Sequence, residues 1–311
     1  MGAVLVAIVI VLDLILPIGL LVWAFMTRAK SGIYLGSILV LTAIVIGVLS
    51  PFIFGFWHVV GSFWPVFYLV AFVAILAFKV LRGLPAQWLP NGWSWETFLT
   101  GLNVVHAALW ALLIPPLLQA RSYEGQALSL SSPLRGGDFY VVSGGGNGAV
   151  NQHTDYAMDI AKLNAFGFSA AGFYPEDLQK HAVFGTEIIA PCAGEVIAAE
   201  NSKPNRRPLD PDSDDLRGGN HIVIFCEGHS VHLAHLQPGS VAVSVGDQVA
   251  VGQMLGRVGN SGNTMQPHLH INAVRGRHIF ERAEDGSPWG AASAPFLIDG
   301  KFLIKGDSFS N

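Results

Sequence analysis

Histidines and one carboxylate mark where this chain could do chemistry. His268 and His270 are one residue apart, and side chains alternate along a β-strand, so both imidazoles would point to one face of a strand. His153 and Asp159 stand far upstream, and His235 lies between the two groups. Histidines and one carboxylate collected in this way suit a Zn²⁺ ion that keeps an open position for water. The pattern predicts a zinc centre assembled from distant parts of the chain.

The sequence around these residues predicts the elements that must position them. Residues 151–275 contain short apolar runs separated by glycine-rich turns, which favours an all-β sandwich or barrel-like sheet. We expect the segment 161–186 to be a loop that borders the site. We expect the segment 201–219 to be a solvated surface loop. The expected strands are 156–160, 186–190, 195–199, 221–225, 231–235, 248–251, 254–258 and 268–274.

The first part of the chain differs strongly in composition from the rest. With 311 residues the chain can hold two domains, and residues 1–120 are largely apolar. Stretches near 3–26, 33–55, 58–81 and 97–119 are long enough to cross a bilayer, which takes about 20 residues. We expect an α-helical membrane domain over 1–120, a linker over 121–150, the catalytic domain over 151–275 and a C-terminal extension over 276–311.

The loops between these stretches predict an orientation in the membrane. Arg28 and Lys30 follow the first stretch, and Lys79 and Arg82 follow the third. The positive-inside rule places basic loops in the cytoplasm, so both termini and the catalytic domain would face the periplasm or cell exterior of a bacterium. The lipid bilayer is then one partner, and another membrane protein is a possible second. Tryptophans expected in interfacial belts are Trp57, Trp64, Trp88, Trp93 and Trp95.

Ionisable residues within the apolar stretches are few. Asp13 and His106 could mark a functional site, because charge inside a membrane is costly. The alternative is an aspartic acid that is protonated or hydrogen-bonded inside the helical bundle. The formal net charge of -4, without a basic stripe, argues against binding to nucleic acid.

Cys192 and Cys226 are the two cysteines of the chain, and both fall in the β-rich half. Outside the cytoplasm a disulfide between them is permitted, since such compartments are oxidising. Two buried free thiols are the alternative, because the sequence does not supply the distance between them.

The ordered motifs of the β-rich half resemble the lysostaphin-like zinc metallopeptidases, of the LytM type. The match begins at 189–196 and 219–224, continues through Ala234-His235-Leu236 and 245–253, and ends with 256–262 and Pro267-His268-Leu269-His270. It covers roughly residues 150–275. The resemblance implies an antiparallel β-sheet domain with one Zn²⁺ in a groove. It also implies a hydrolase that cuts peptide bonds of bacterial peptidoglycan.

The resemblance also implies the roles of individual residues. His153, Asp159 and His270 would be the zinc ligands, while His235 and His268 would be catalytic histidines that do not bind the metal. We expect His268 to act as the base and His235 to stabilise the oxyanion. His232 has the opposite strand parity to His235, so it is expected to point away from the site or to pack.

One departure from the family pattern concerns the first motif. His153 and Asp159 are farther apart in sequence than the common form of the motif has them, and Asp155 is a competing carboxylate. Asp159 is preferred because it lies in an apolar strand, where a carboxylate needs a partner to offset its desolvation. The spacing leaves open a catalytically inactive member of the fold that binds and regulates a cell-wall or membrane partner. A transporter or sensor based on the membrane part is the third hypothesis.

Overall fold

The computed structural model describes residues 2–148, 150–151, 153, 156–210, 218–279 and 293–311. Asp155 and part of the predicted loop 201–219 lie outside the described residues. The chain divides into two compact units, which we name the helical unit (Ala3–Leu117) and the β unit (Leu118–Asn311).

The helical unit contains helices long and apolar enough to cross a membrane. Among the described residues there are four of them by length and composition, at Val6–Met26, Gly32–Ser50, Trp64–Arg82 and Trp95–Gln119. The fold class expected for this half is therefore confirmed, with boundaries close to those expected. The α-helical segments are α1 (Gly2–Ile10), α2 (Leu16–Met26), α3 (Gly32–Ile44), α4 (Trp57–Val60), α5 (Trp64–Arg82), α6 (Trp95–Ala111) and α7 (Ile114–Gln119).

Two π-helical stretches, Val11–Ile15 and Val45–Phe54, interrupt the first two candidate spans. The first stretch contains Asp13, which is fully buried. The backbone N–H of Phe56 donates to Asp13 Oδ2 at 3.1 Å, and the Tyr68 hydroxyl donates to the Asp13 carbonyl oxygen at 2.6 Å. Asp13 is thus hydrogen-bonded inside the helical unit, which is the structural alternative that the sequence left open.

The surroundings of Trp57 and His106 bear on two expectations drawn from the sequence of this unit. Trp57 is only 3% exposed, so it packs inside the unit and does not belong to an interfacial belt. His106 is exposed on α6, and its Nδ1–H donates to the Leu102 carbonyl oxygen at 2.8 Å. This hydrogen bond pairs the N–H of the ring with a backbone carbonyl one turn earlier in the same helix.

The β unit is built on an antiparallel sheet, as predicted. Nine described strands join in it, in the order β13-β2-β3-β10-β7-β6-β5-β8, with β11 pairing to β10 beyond the end of β3. Small two-stranded sheets, parallel β1-β12 and antiparallel β4-β9, complete the unit. The strands are β1 (Leu128–Leu130), β2 (Asp138–Ser143), β3 (Met158–Lys162), β4 (Glu187–Ile189), β5 (Gly194–Glu200), β6 (Asn220–Cys226), β7 (His229–Leu236), β8 (Gln248–Val249), β9 (Met254–Arg257), β10 (Leu269–Arg275), β11 (Ser293–Ala294), β12 (Phe296–Ile298) and β13 (Ser308–Ser310).

One face of the large sheet forms the hydrophobic core. Alternate residues of the central strands, among them Ile222, Leu233 and Ile271, are fully buried and pack in one cluster. The opposite face of the same strands carries polar residues, as a period of two requires. Cys192 and Cys226 belong to the core cluster and form a disulfide, so the open question of free thiols is resolved.

The sheet extends beyond the segment that resembles the family. Strand β2 lies in the segment expected to be a linker, and β12 and β13 lie in the expected C-terminal extension. β2 pairs with β3 along 139–143, and β13 pairs with β2 in turn. The strands β12 and β13 have only three residues each, whereas β2 contains the strand-favouring run Phe139-Tyr140-Val141-Val142. Both flanking segments are therefore parts of the folded β unit.

Candidate active site

The three predicted metal ligands meet at the boundary between β3 and β10. His270 lies directly opposite Asp159 in the antiparallel register, which places both side chains on the same face. His270 Nδ1 and Asp159 Oδ1 are 2.9 Å apart, and His153 Nε2 and Asp159 Oδ2 are 2.7 Å apart. Ligand atoms of the three residues all lie within 4.8 Å of one another. The longer spacing between His153 and Asp159 does not keep them apart.

The donor atoms of this cluster are of the kinds that bind a transition-metal ion. Two imidazoles and one carboxylate suit a borderline-soft divalent cation such as zinc. His270 is 1% and Asp159 is 8% exposed, whereas the His153 side chain is 28% exposed. The cluster is thus buried on the sheet side and accessible from one direction, which fits an ion that has to contact solvent or substrate.

The charges of the cluster depend on one another. Burial would raise the pKa of Asp159, but His268 and His153 outweigh this effect and hold the pKa well below its usual range. Burial would lower the pKa of His153, and the Asp159 carboxylate reverses the shift and raises the pKa. Burial lowers the pKa of His270, and the hydrogen bond to Asp159 offsets only part of that effect. Asp159 is therefore the fixed negative charge around which the imidazoles are arranged.

His235 enters the site through a bulge at the end of β7. Asn220 pairs with Leu236 and His221 with Ala234, so His235 is an extra residue in the ladder between β6 and β7. Its φ of 66° lies in the left-handed region, which is uncommon for residues other than glycine. The local backbone fixes this conformation, because the N–H of His235 donates to Gly218 O at 2.9 Å and its carbonyl accepts from Gly259 N at 3.0 Å.

The ring of His235 is oriented by a backbone carbonyl. Nδ1–H donates to the Ser261 carbonyl oxygen at 2.8 Å, so Nε2 is the nitrogen left for the site. Burial, followed by the nearby His268 and His270, holds the pKa of His235 well below its usual range. The ring is therefore neutral near pH 7, with Nε2 as a hydrogen-bond acceptor.

His268 stands opposite His235, and their ring centroids are 4.7 Å apart. Its Nδ1 donates to the Gln266 carbonyl oxygen at 2.8 Å, while Nε2 lies 3.4 Å from Asp159 Oδ1. Burial would lower the pKa of His268, but the Asp159 carboxylate outweighs it and raises the pKa. The predicted catalytic histidines thus flank the ligand cluster with both Nδ1 atoms bonded to carbonyl oxygens.

Two buried polar residues that support His235 were not singled out in the sequence. Ser261 Oγ donates to Leu236 O at 2.7 Å and accepts from the Asn220 backbone N–H at 2.9 Å. The Asn220 amide in turn donates to Leu236 O and Lys203 O, at 3.1 and 2.7 Å. Both residues are fully buried. The only signal in the sequence is a small polar residue beside glycines, which predicts a turn but not a buried network.

Glycines allow the close approach of the chain segments around this network. A Cβ atom at Gly219 would lie 2.3 Å from the Ser261 carbonyl carbon, and one at Gly259 would lie 2.4 Å from Gln237 N. Side chains at these positions would push apart the segments that hold the His235 ring. Glycine is therefore needed here for steric reasons and not only to form a turn.

The sequence predicted a solvated surface loop at 201–219. The described part of this loop is instead hydrogen-bonded to another segment of the β unit. The Arg206 N–H donates to Asn260 O and the Leu209 N–H donates to Met265 O, each at 2.8 Å. The Asn260 side chain donates to Arg206 O at 2.9 Å. This segment therefore packs along the turn that precedes His268, because its backbone groups pair with those of that turn.

His232 and His181 are both buried, and His232 packs as one of the two expectations for it required. His232 pairs with Asn272 while His270 pairs with Ala234, so His232 lies on the same sheet face as His270. The bulge at His235 invalidates the parity argument that separated His232 from the site. His181 is 3% exposed, and its Nε2 lies 3.0 Å from the Pro175 carbonyl oxygen.

The antiparallel sheet thus carries a His-Asp-His cluster that could hold a metal ion, with two oriented histidines beside it. Residues 177–280 match the model of peptidase family M23. The predicted relationship to lysostaphin-like peptidases is thereby confirmed. His235, His268 and His270 lie within the matched segment, whereas His153 and Asp159 precede it and join the site through β3. No curated protein matches the chain.

Solved structures of related proteins match parts of the chain. Lysostaphin from Staphylococcus simulans is 22% identical, over 31% of this chain and 39% of that chain, with a TM-score of 0.23. A mutant catalytic domain of the prophage-encoded M23 protein EnpA from Enterococcus faecalis is 21% identical, over 48% and 92%, with a TM-score of 0.31. A zinc-containing peptidase from Vibrio cholerae is 18% identical, over 46% and 33%, with a TM-score of 0.25. The chain covers well under half of the lysostaphin and Vibrio cholerae chains.

Proposed function

We propose that this protein is a membrane-anchored zinc metalloendopeptidase that hydrolyses peptide bonds outside the cytoplasm. The observation that carries the proposal is the convergence of His153, Asp159 and His270 within 4.8 Å, beside two histidines whose Nδ1 atoms are bonded to carbonyl oxygens. The match of residues 177–280 to the model of peptidase family M23 supports peptidase activity. The substrate class that we propose is the stem peptides or cross-links of peptidoglycan.

His153, Asp159 and His270 would hold the zinc ion. When bound, the ion would supply Lewis-acid activation of a water molecule and of the scissile carbonyl. His235 is held neutral with Nε2 free of its own proton, so it can accept the proton of the attacking water. It can later return that proton to the leaving amine.

His268 would stabilise the negative charge that develops on the substrate. Its Nδ1–H donates to Gln266 O, so Nε2 carries a proton to donate to an oxyanion only in the imidazolium form, which the Asp159 carboxylate favours by raising the pKa of His268. The tautomer and the low pKa of His235 thus support an exchange of the two roles expected from the sequence. His235 becomes the proton acceptor, and His268 becomes the hydrogen-bond donor.

The exposure of the apolar helices supports membrane anchoring. Only 6% of the Trp64–Arg82 window and 17% of the Trp95–Gln119 window is buried within the protein. Side chains such as Leu81 and Val66 are 87% and 65% exposed. Exposing so much continuous apolar surface to water is strongly unfavourable in free energy. Lipid acyl chains can cover the same surface without this cost. With basic loops in the cytoplasm, the β unit faces outward, where a disulfide persists.

One alternative was a catalytically inactive member of the fold that binds a partner. The feature that favoured this alternative no longer supports it. It depended on the long spacing between His153 and Asp159, and these side chains are nevertheless 2.7 Å apart. The described site retains both histidines flanking the ligand cluster. A binding module would have no need for that arrangement.

The proposed function is tested on the full chain purified in detergent. We expect about one zinc per chain by elemental analysis, and hydrolysis of purified peptidoglycan peptides followed by mass spectrometry. His270→Ala should lose both zinc and activity. His229→Ala serves as the control, since His229 lies on the same strand as His235 at its far end.

Three results would each contradict a part of the proposal. Wild-type protein that stays metal-free after zinc is supplied would exclude a zinc enzyme. Zinc-loaded protein that cuts no peptidoglycan peptide, but does cut an unrelated peptide, would exclude the substrate class and retain the activity. A reporter fused after Asn311 that is active only in the cytoplasm would exclude the orientation.

A further inference from the structure

A cavity of about 620 Å³ lies in the helical unit, where α2 ends and α5 ends. We name it the basic cavity. Its walls combine apolar side chains, such as Phe25, Phe78 and Leu84, with the cationic side chains of Arg28, Lys79 and Arg82. The cavity therefore presents an apolar surface and a cluster of positive charge together.

The positive charges of the basic cavity are not balanced by nearby carboxylates. No acidic residue lines the cavity in the part of the chain that the structure describes. Asp13 and Glu96 are the only acidic residues of the helical unit. Asp13 accepts from Phe56 N, and Glu96 accepts from Lys30 N and the Ser31 hydroxyl. Three like charges around one cavity repel each other, so an anion in the cavity would be stabilised.

The cationic side chains are held by contacts that leave donors available. Lys79 Nζ donates to the carbonyl oxygens of Phe25 and Thr27, at 2.9 and 2.5 Å, which uses two of its three N–H groups. The Arg82 guanidinium lies 4.8 Å from the centroid of the Phe78 ring. Arg28 and Arg82 are both exposed. The remaining N–H groups can bind the oxygens of a phosphate.

We propose that the basic cavity binds one anionic phospholipid of the cytoplasmic leaflet. The phosphate and acidic head group would be bound by Arg28, Lys79 and Arg82, and an acyl chain would lie along Phe25, Phe78 and the exposed Met26. A free phosphate would use the cations alone and leave the apolar wall uncovered. The inference depends on the proposed membrane insertion and is independent of the peptidase chemistry.

Native mass spectrometry of the full chain in detergent tests this proposal. The probes are phosphatidylglycerol and phosphatidylcholine with the same acyl chains, and glycerol phosphate as a water-soluble head-group mimic. We expect wild-type protein to retain one phosphatidylglycerol in preference to phosphatidylcholine. The double variant Arg28→Gln/Arg82→Gln should bind it roughly 30-fold more weakly, given the usual contribution of each cation at a membrane surface. Lys30→Gln is the matched control, because Lys30 lies in the same loop but does not line the cavity.

Each other outcome would overturn the proposal. Equal binding of the two lipids by wild-type protein would do so without any variant, and thus without any question of folding. An equal loss in Lys30→Gln would indicate general surface charge and no specific site. Displacement of the lipid by glycerol phosphate at similar concentrations would indicate a phosphate site without a role for the acyl chain. A chain that stays soluble without detergent would instead exclude membrane insertion.

Discussion

The two units of this protein use polar side chains in opposite ways. In the helical unit buried polar groups mainly satisfy the backbone, as Asp13 does for Phe56 N and Thr42 does for the Ile38 carbonyl. In the β unit polar side chains from β3, β7 and β10 contact one another, and the backbone serves to orient them. Burial of an ionisable residue is therefore not enough to indicate chemistry. Convergence of several such residues is the more informative feature.

Asp13 and Asp159 allow the most direct test of this difference, since among the described residues they are the buried carboxylates of the two units. Asp159→Asn should reduce kcat/KM by at least about 10⁴-fold, because it removes the only negative ligand of the cluster. Asp13→Asn should leave peptidase activity within about twofold, because an amide can still accept from Phe56 N. Peptide hydrolysis and zinc content are measured for both. Comparable losses in the two variants would remove the distinction between the units.

His235→Asn should separate proton transfer from metal binding within the β unit. We expect kcat to fall by about 10²–10⁴-fold, which is the range for loss of a general base, while bound zinc stays near the wild-type amount. The measurements are single-turnover kinetics and elemental analysis on the same sample. Loss of zinc together with activity would make His235 a ligand or a folding residue. The assignment of a proton acceptor would then be wrong.

Cys192→Ser/Cys226→Ser should destabilise the β unit alone. The disulfide joins residues 34 apart in sequence. Closing a loop of this size stabilises a protein by about 3–4 kcal/mol, chiefly by restricting the unfolded chain. The helical unit contains no cysteine and should show unchanged helix content by circular dichroism. Unfolding of the β unit is followed with denaturant, and an unchanged midpoint would count against the bridge as a stabilising element.

His232 should make the β unit sensitive to acid. Burial, and then His221, His270 and His278, lower its pKa from 6.5 to about 3. Between these values the unfolded chain binds a proton that the folded chain does not, so stability is present above pH 6.5 and falls as the pH decreases. The expected loss from this residue is about 2 kcal/mol at pH 5 relative to pH 8. His232→Asn should remove that part of the slope in denaturant unfolding of zinc-saturated protein. An identical slope in variant and wild type would show that other groups set it.

The sequence predicted those features that depend on short-range periodicity. The alternation of His268 and His270 and the apolar runs of the central strands were enough to predict β10 and the core. His235 was identified by resemblance, but its route into the site was not predictable, because the bulge depends on hydrogen bonds to Gly218 and Gly259. β2 and β13 were missed. β13 is short and pairs with β2, which is far away in sequence, and the apolar run Phe139-Tyr140-Val141 of β2 was not assigned to a strand although it enters the core.

The integration of the flanking strands has a mechanical consequence. The chain leaves the helical unit near residue 118 and enters the β unit through β1 and β2. β2 is hydrogen-bonded to β3, and β3 carries Asp159. If the helical unit is anchored as proposed, a substrate bound at the site could place the chain under tension. That tension would be transmitted along β2 to β3, the strand that carries the proposed ligand Asp159. β2, the first strand of the large sheet along the chain, is thus adjacent to the strand that carries Asp159.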